Sequence, residues 1–500
     1  MNLTQCTVQS ATLMGVDAIP VEVEVIISQG SPGFTIVGMA DAAIQEARER
    51  VKAALRSSGF HMPRDKIVVN LAPGSLKKRG SGFDLPIALG ILAASGQIDK
   101  IHARGSLFVG ELSLDGCVKP VPGLLAYARC ATKQGMSLTC AYSEELRIKG
   151  FCDSIRLIAR LSALRMGNFE GIKPNPKAAE SALLDFADIA GHDHAKRALQ
   201  IAATGNHGVL MVGPPGSGKT MLASRLPSIL APLTDEEMLE VATIYSVAGL
   251  NAESIMTGHR PFRQPHHSAS AAGLIGGGTP IRPGEITLAH KGVLYLDELP
   301  EFKPSVLQSL RQPMESGQVT LVRAESTITM PAQFSLIASA NPCPCGYFGD
   351  KETPCHCTPV QINTYQSRIG GPVLDRIDMR INVGRMKSAD VLKAGTGTSS
   401  ETLRQGVMAG QEYRSWRLSR YEQPGTATKS IIEACRLDDV GRAYFEKVAE
   451  KRKLSGRAIV RTLQVARTIA DIAQSDQVNK THLCEALGLR LEQSERGGVM

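Results

Sequence analysis

The chain is poor in aromatic residues, with 4% in all and a single tryptophan, and it holds no apolar run near the ~18 residues a membrane-spanning helix needs. Its opening residues, Met-Asn-Leu-Thr-Gln-Cys, have no basic patch leading into an apolar stretch, so no secretory signal is read there. Internal repeats and long low-complexity tracts are missing too. The cysteines do not form a secreted disulfide framework, because eleven of them, an odd number, are scattered through 500 residues. These absences leave a cytoplasmic protein with reduced thiols and no membrane partner as the expectation. What is present is ordinary: 43% hydrophobic residues, enough for real cores, over a length that suggests roughly two to four domains. The formal net charge of +8 permits a polyanionic partner without requiring one.

Periodicity divides the chain. Val21 to Ile27 alternates as a half-buried strand, Ala42 to Ser57 repeats as a helix, Lys66 to Asn70 reads as a strand and Leu85 to Ala94 as an apolar helix. With a strand beginning near Gly105, this alternation predicts an α/β or α+β domain over 1–170. A polar stretch with two prolines, 171–184, reads as a linker. A second α/β unit covers 185–385. From about Met386 the pattern turns helical, over 386–500, after a flexible loop at Lys393 to Glu401.

The strongest local signal lies in the second unit. An apolar strand, Val209 to Val212, leads into Gly213, Pro214, Pro215, Gly216, Ser217, Gly218, Lys219 and Thr220, and then into a helical pattern. Strand, glycine-rich loop and helix form a P-loop, whose backbone N–H groups wrap phosphate oxygens at a helix N-terminus. Lys219 is expected to reach the β- and γ-phosphates of ATP and Thr220 to hold Mg²⁺. A second apolar strand ends in Asp297 and Glu298, a Walker B pair in which Asp297 supports the metal and Glu298 polarises the attacking water. A third ends at Asn341, whose amide can orient that water. Arg376 is expected to serve an adjacent subunit as a finger, with Arg368 as the alternative. Arg457, opening a helix in the last region, is expected to touch the phosphates from the lid. Cys343, Cys345, Cys355 and Cys357 fall within fifteen residues and could hold structural Zn²⁺, with His356 able to replace one of them. Redox-active or plain loop cysteines are the alternative.

The order Lys219, Asp297-Glu298, Asn341, Arg376, Arg457 resembles an AAA+ ATPase. The strings Val37 to Val51, Asn70 to Lys77, Arg263-Gln-Pro-His-His-Ser268 and Ala340-Asn-Pro-Cys-Pro-Cys-Gly346 resemble the ComM/YifB family of magnesium-chelatase-like proteins over essentially the whole chain. The resemblance implies an N-terminal Lon-protease-like domain with a ribosomal-S5-type fold, an AAA+ core of the helix-2-insert group, a helical lid and a homo-hexameric ring. It also implies a DNA motor, a branch-migration helicase that helps integrate single strands during natural transformation. Two loops would enter the ring pore, near Gly273 to Gly284 and at Gln318 to Met330, with Arg282 and Arg323 as charged tips on single-stranded or branched DNA. The glycines of the first favour a mobile loop. The aromatic poverty argues against base stacking there.

Where Lon proteases carry their nucleophilic serine, this chain has Asp84, so acyl chemistry is not expected; Ser81 lies in a glycine turn nearby. The neighbouring Lys77, Lys78 and Arg79 read either as a solvated loop or as phosphate contacts. Two rivals remain open: a chelatase-type motor acting on a protein or tetrapyrrole partner, and a scaffold whose ATPase only switches assembly.

Overall fold

The computed structural model describes residues 4–147, 152–167, 169–173, 184–279, 281–323, 326–350, 352–369, 371–374, 376–386, 397–421 and 428–491. Most of the linker 171–184, and residues 393–396 of the loop beginning at Lys393, lie outside them. Ser400 and Glu401, placed in that loop by the sequence, already belong to the helix Ser400–Arg420, which Ser399 caps by accepting from the Thr402 N–H.

The first unit is built on an eight-stranded sheet. Its long strands Thr4–Met14 and Asp17–Ser28 pair antiparallel, and the second continues antiparallel to Lys66–Ala72. The alternation explains this directly: Val21, Val23, Val25 and Ile27 share one face and are all buried. Helix Ala42–Ser57 begins where Asp41 accepts from the Ile44 N–H at 3.0 Å, and it buries Ile44, Ala47, Val51, Ala54 and Leu55. Helix Asp84–Ala94 is buried along its whole length. It approaches the sheet so closely that a Cβ at Gly90 would stand 2.5 Å from Val25 Cγ2.

The second sheet has five parallel strands in the order Phe262–Arg263, Val293–Leu296, Ser335–Ala340, Val209–Val212, Met379–Asn382. The first strand in sequence therefore lies between the fourth and the fifth, and ligand sites form at the carboxyl ends of strands beside such a reversal. The two units share one core: helix Leu124–Lys133 of the first packs on helix Asp235–Ala248 of the second, and the Gly123 N–H donates to the Ser246 carbonyl at 3.0 Å.

Among the described residues five helices follow: Ser400–Arg420, Thr428–Cys435, Asp439–Lys451, Gly456–Ile472 and Lys480–Leu491. A buried ion cluster fastens them. Arg417 grips Asp471 through two bonds of 2.9 and 3.0 Å, and Arg467 reaches the same carboxylate from one turn away at 3.2 Å. Replacing Asp471 by alanine leaves two buried guanidinium groups without their counter-charge and is expected to cost about 3–5 kcal/mol. A urea-unfolding midpoint unchanged by Asp471→Ala would contradict that.

Candidate nucleotide site

The sequence-predicted nucleotide residues come together at the carboxyl edge of the parallel sheet. Gly213 leaves its strand under the Val383 carbonyl, where a Cβ has no room. Gly216 and Gly218 take positive φ, +73° and +86°, which turns the loop into the helix Lys219–Arg225. The Lys219 ammonium lies over this loop. It donates to the carbonyls of Gly213 and Pro214 at 2.8 and 2.9 Å and to Asn341 Oδ1 at 3.3 Å. Burial holds its pKa below the usual lysine range, with Asp297 and Glu298 pulling the other way.

Thr220 and Asp297 also meet. The Thr220 hydroxyl donates to Asp297 Oδ2 at 3.0 Å, and the other carboxylate oxygen accepts from the Ser339 hydroxyl. Two hard oxygen donors side by side suit Mg²⁺. The Glu298 N–H is shared by Ser339 Oγ and Asp297 Oδ1, both at 3.1 Å, so the backbone of the acid is fixed while its side chain stays 52% exposed.

Three residues here were missed by sequence reasoning. Tyr295, fully buried in the strand before Asp297, brings its hydroxyl to 3.3 Å from Thr220 Oγ1. His192 caps the helix Asp193–Gly205 in a left-handed conformation beside Gly218, and its buried Nε2 hydrogen-bonds nothing among the described residues. His267 Nδ1 stands 3.7 Å from a Glu298 carboxylate oxygen, with the His266 ring tilted against it, centroids 4.1 Å apart. The Gln-Pro-His-His string was visible as a signature, but only the fold shows that it faces the acid.

The arginines lie away from the loop of their own chain. Arg376 is 4% exposed and pairs with Glu315 of its own chain, so the local structure does use it. It precedes Met379–Asn382, whose first N–H donates to the Gly208 carbonyl at 3.0 Å, so it sits at the amino ends of the strands. The five residues from Gly208 to Gly213 put about 16 Å between that end and the P-loop. Arg457 does not lean over its own P-loop. It is exposed on the first turn of Gly456–Ile472, one turn before Arg461, which pairs with Asp378 and donates to the Arg376 carbonyl at 3.1 Å. Arg376 and Arg457 both bear on the Glu315 carboxyl and hold it below its ordinary range, with Arg376 the larger influence. The reason is the docking of the helical region, which packs on the helix Asp193–Gly205 and on the strand Met379–Asn382. Arg368 is half-exposed, 3.7 Å from Glu301.

The two loops assigned to a pore are hairpins. Gln318–Arg323 pairs antiparallel with Ser326–Pro331; the Arg323 side chain and the tip lie outside the described residues. In the first loop, Gly276–Gly277 pairs with Arg282–Pro283 and leaves Arg282 exposed. Gly276 is closely packed there: a Cβ on it would lie 2.7 Å from the Arg282 carbonyl and 3.2 Å from Met330 of the other hairpin.

The four cysteine sulfurs lie within 4.8 Å of one another, with Cys343 buried. His356 is exposed and is not one of the group. The N–H groups of Tyr347 and His356 hold the Cys345 thiol down to about 6.

In the first unit, Asp84 is buried in a two-bond pair with Arg50 at 2.6 and 2.9 Å, and its Oδ2 also accepts from the Leu112 N–H. Burial raises its pKa while Arg50 lowers it. The Ser81 hydroxyl bonds Glu111, a carboxylate rather than the lysine or histidine a serine nucleophile needs. Lys78 is neither solvated nor offered to phosphate: it is fully buried and donates to the Pro73 carbonyl, whereas Lys77 is exposed.

Three family models match the chain: "Magnesium chelatase, subunit ChlI" over residues 185–391, "Subunit ChlI of Mg-chelatase" over 23–141 and "Magnesium chelatase, subunit ChlI C-terminal" over 397–490. YifB of Escherichia coli is 42% identical over 492 residues, 97% of this chain and 96% of its own length. Competence protein ComM of Haemophilus influenzae is 42% identical over 498 residues, 97% of each. A magnesium-chelatase 67 kDa subunit of Chlorobaculum tepidum is 30% identical over 164 residues, 32% of this chain and 24% of its own. Near-complete coverage at this identity, on a five-stranded P-loop sheet with a helical C-terminal region, makes the chain a member of the ComM/YifB family of magnesium-chelatase-like AAA+ proteins.

Proposed function

We propose that the chain is an ATP-hydrolysing DNA motor that works as a homo-hexameric ring, driving branch migration and the integration of single strands in natural transformation. When bound, ATP supplies the phosphoanhydride to be cleaved and Mg²⁺ neutralises charge on its phosphates. Lys219 exchanges its loop carbonyls for phosphate oxygens, and Thr220 and Asp297 hold the metal's side of the pocket. Glu298 accepts the proton of the attacking water, which Asn341 orients. His192, with an unsatisfied nitrogen beside the loop, is placed to meet the nucleotide base.

One observation carries the step from ATPase to motor. The segment that contacts Glu298 through His267 runs on through Ala271–Ile275 into the hairpin bearing Arg282. That continuity supports a link by which the nucleotide state could move the hairpin. The competence role named for the Haemophilus relative supports DNA as the cargo. No helix among the described residues is long and apolar enough to cross a membrane, which suits a cytoplasmic motor. The magnesium-chelatase matches keep a second reading, a motor acting on a protein or tetrapyrrole partner.

Steady-state ATP turnover with and without single-stranded DNA separates the two. A DNA motor is expected to show stimulation that fades as salt rises, because contacts to a phosphate chain release counterions. Arg282→Ala is expected to weaken that stimulation while sparing DNA-free turnover. Turnover indifferent to DNA would count for the chelatase-type reading.

A further inference from the structure

The cysteine cluster is joined to the nucleotide loop. A tetrahedral Zn²⁺ with Zn–S bonds near 2.3 Å needs its sulfurs about 3.8 Å apart. Cys343 and Cys345 lie 3.3 Å apart, and each stands 3.6 Å from Cys355. All are free thiols, too far apart for disulfides. Backbone N–H groups already aim at the sulfurs: Phe348 donates to Cys343 at 3.3 Å and Cys357 to Cys355 at 3.4 Å. Four soft ligands in a closed shell suit zinc, with no position left open for a substrate.

The turn that carries the first two sulfurs leans on the P-loop. Gly346 has φ +86°, and a Cβ there would stand 2.5 Å from Pro215 Cδ and 2.8 Å from its Cγ. Cys343 follows Asn341 by two residues, so the same turn continues the strand that brings the amide to Lys219. From the other side, Arg385 stacks over Tyr347 at 5.2 Å and lies 3.6 Å from Asp350. It extends from the strand whose Val383 carbonyl covers Gly213. The turn 343–350 is thus wedged among three segments that shape the nucleotide pocket.

We propose that Cys343, Cys345, Cys355 and Cys357 bind one zinc ion in a closed tetrahedral site, and that the ion, by holding the turn 343–350 against Pro215, sets how tightly the P-loop holds ATP. The second half rests on the nucleotide-site reading above. Without the ion the four sulfurs have nothing in common to bind, and the turn loses its anchor. Pro215 then loses its backing, and the loop N–H groups lose their alignment on phosphate.

The test uses the full-length chain purified without added metal. Plasma emission is expected to find one zinc per chain, and Co²⁺ exchange to give the intense visible bands of a tetrahedral thiolate site. A fluorescent ATP analogue, with Mg²⁺ held constant, is expected to bind about tenfold more weakly after a zinc-selective chelator, the equivalent of one charge-assisted hydrogen bond, and to recover when zinc returns. Gly346→Ala keeps all four ligands, so it should keep its zinc and still bind the analogue more weakly. Because it spares the metal, it stays informative if the chelated chain fails to stay folded. A chain with neither zinc nor the cobalt spectrum overturns the metal site. Zinc present, with analogue binding unmoved by chelation and by Gly346→Ala, overturns the coupling. A native chain that binds no analogue overturns the nucleotide reading and the coupling with it, while zinc content and the cobalt spectrum judge the metal site on their own.

Discussion

Replacing Glu298 by glutamine is expected to leave ATP bound and to cut its turnover by about 10²–10⁴-fold, the contribution of a positioned general base. The geometry separates the two effects. Among the described residues, Lys219 and Thr220 hydrogen-bond to the loop carbonyls, Ser217, Asn341, Tyr295 and Asp297 rather than to the Glu298 side chain. The Glu298 backbone is pinned by Ser339 and Asp297, and glutamine has the same shape, so the strand end should keep its form. What is lost is an acceptor for the proton of the attacking water. The side chain is half-exposed, with the His267 ring at 3.7 Å, so water can reach it. A coupled-enzyme assay reads turnover, and equilibrium binding of an ATP analogue reads the site. Turnover within a few-fold of the native chain would remove Glu298 from the role and shift attention to the half-exposed Glu301. Weakened binding with normal turnover would mean that Glu298 acts on the ground state instead.

The parts of this site that a sequence makes legible are those built by neighbouring residues. A P-loop is a local path: two glycines at positive φ, a lysine folded over the loop, a threonine on the first turn of a helix. Asp297 and Asn341 end buried strands, which apolar runs announce, and parallel pairing then sets them beside the loop without further information. The hairpin at Gln318 was legible for the same reason, by its alternation. Lys78 was not, because its burial depends on the Pro73 carbonyl returning to meet it, and charge alone reads as solvation. The close packing of Gly276 was not legible either, because a glycine required by crowding and one that permits motion are the same letter. His267 carried no sign that it would face an acid some thirty residues away in sequence. The arginines show the limit most clearly. Their order along the chain is that of an AAA+ protein, but the end of the sheet that Arg457 serves is decided by how the helical region docks, through contacts more than a hundred residues apart.

That docking leads to the second large effect. Arg376 and Arg457 share the end of the sheet opposite their own P-loop, so neither reaches its own phosphates without dismantling the fold. In a ring, the same face can meet the neighbour's nucleotide, and both arginines would then act in trans. Arg376→Ala is expected to lower ATP turnover by at least ~10³-fold, as loss of a finger does. The decisive experiment mixes this variant with Glu298→Gln in equal amounts. Each is inactive alone. If the finger works across the interface, roughly a quarter of the junctions in a mixed ring join an intact Glu298 to an intact Arg376, and turnover returns. If it works within the chain, every subunit lacks one of the two groups and mixing restores nothing. Arg376 is buried against Glu315, so its replacement also loosens the fold, and the thermal midpoint of each variant must accompany the rates. Arg457→Ala, an exposed change on the first turn of its helix, repeats the mixing test with less disturbance. Rescue by both would assign them to one neighbouring phosphate group. Rescue by Arg376→Ala alone would leave Arg457 to hold the helical region in place, and rescue by neither would return the search to the half-exposed Arg368.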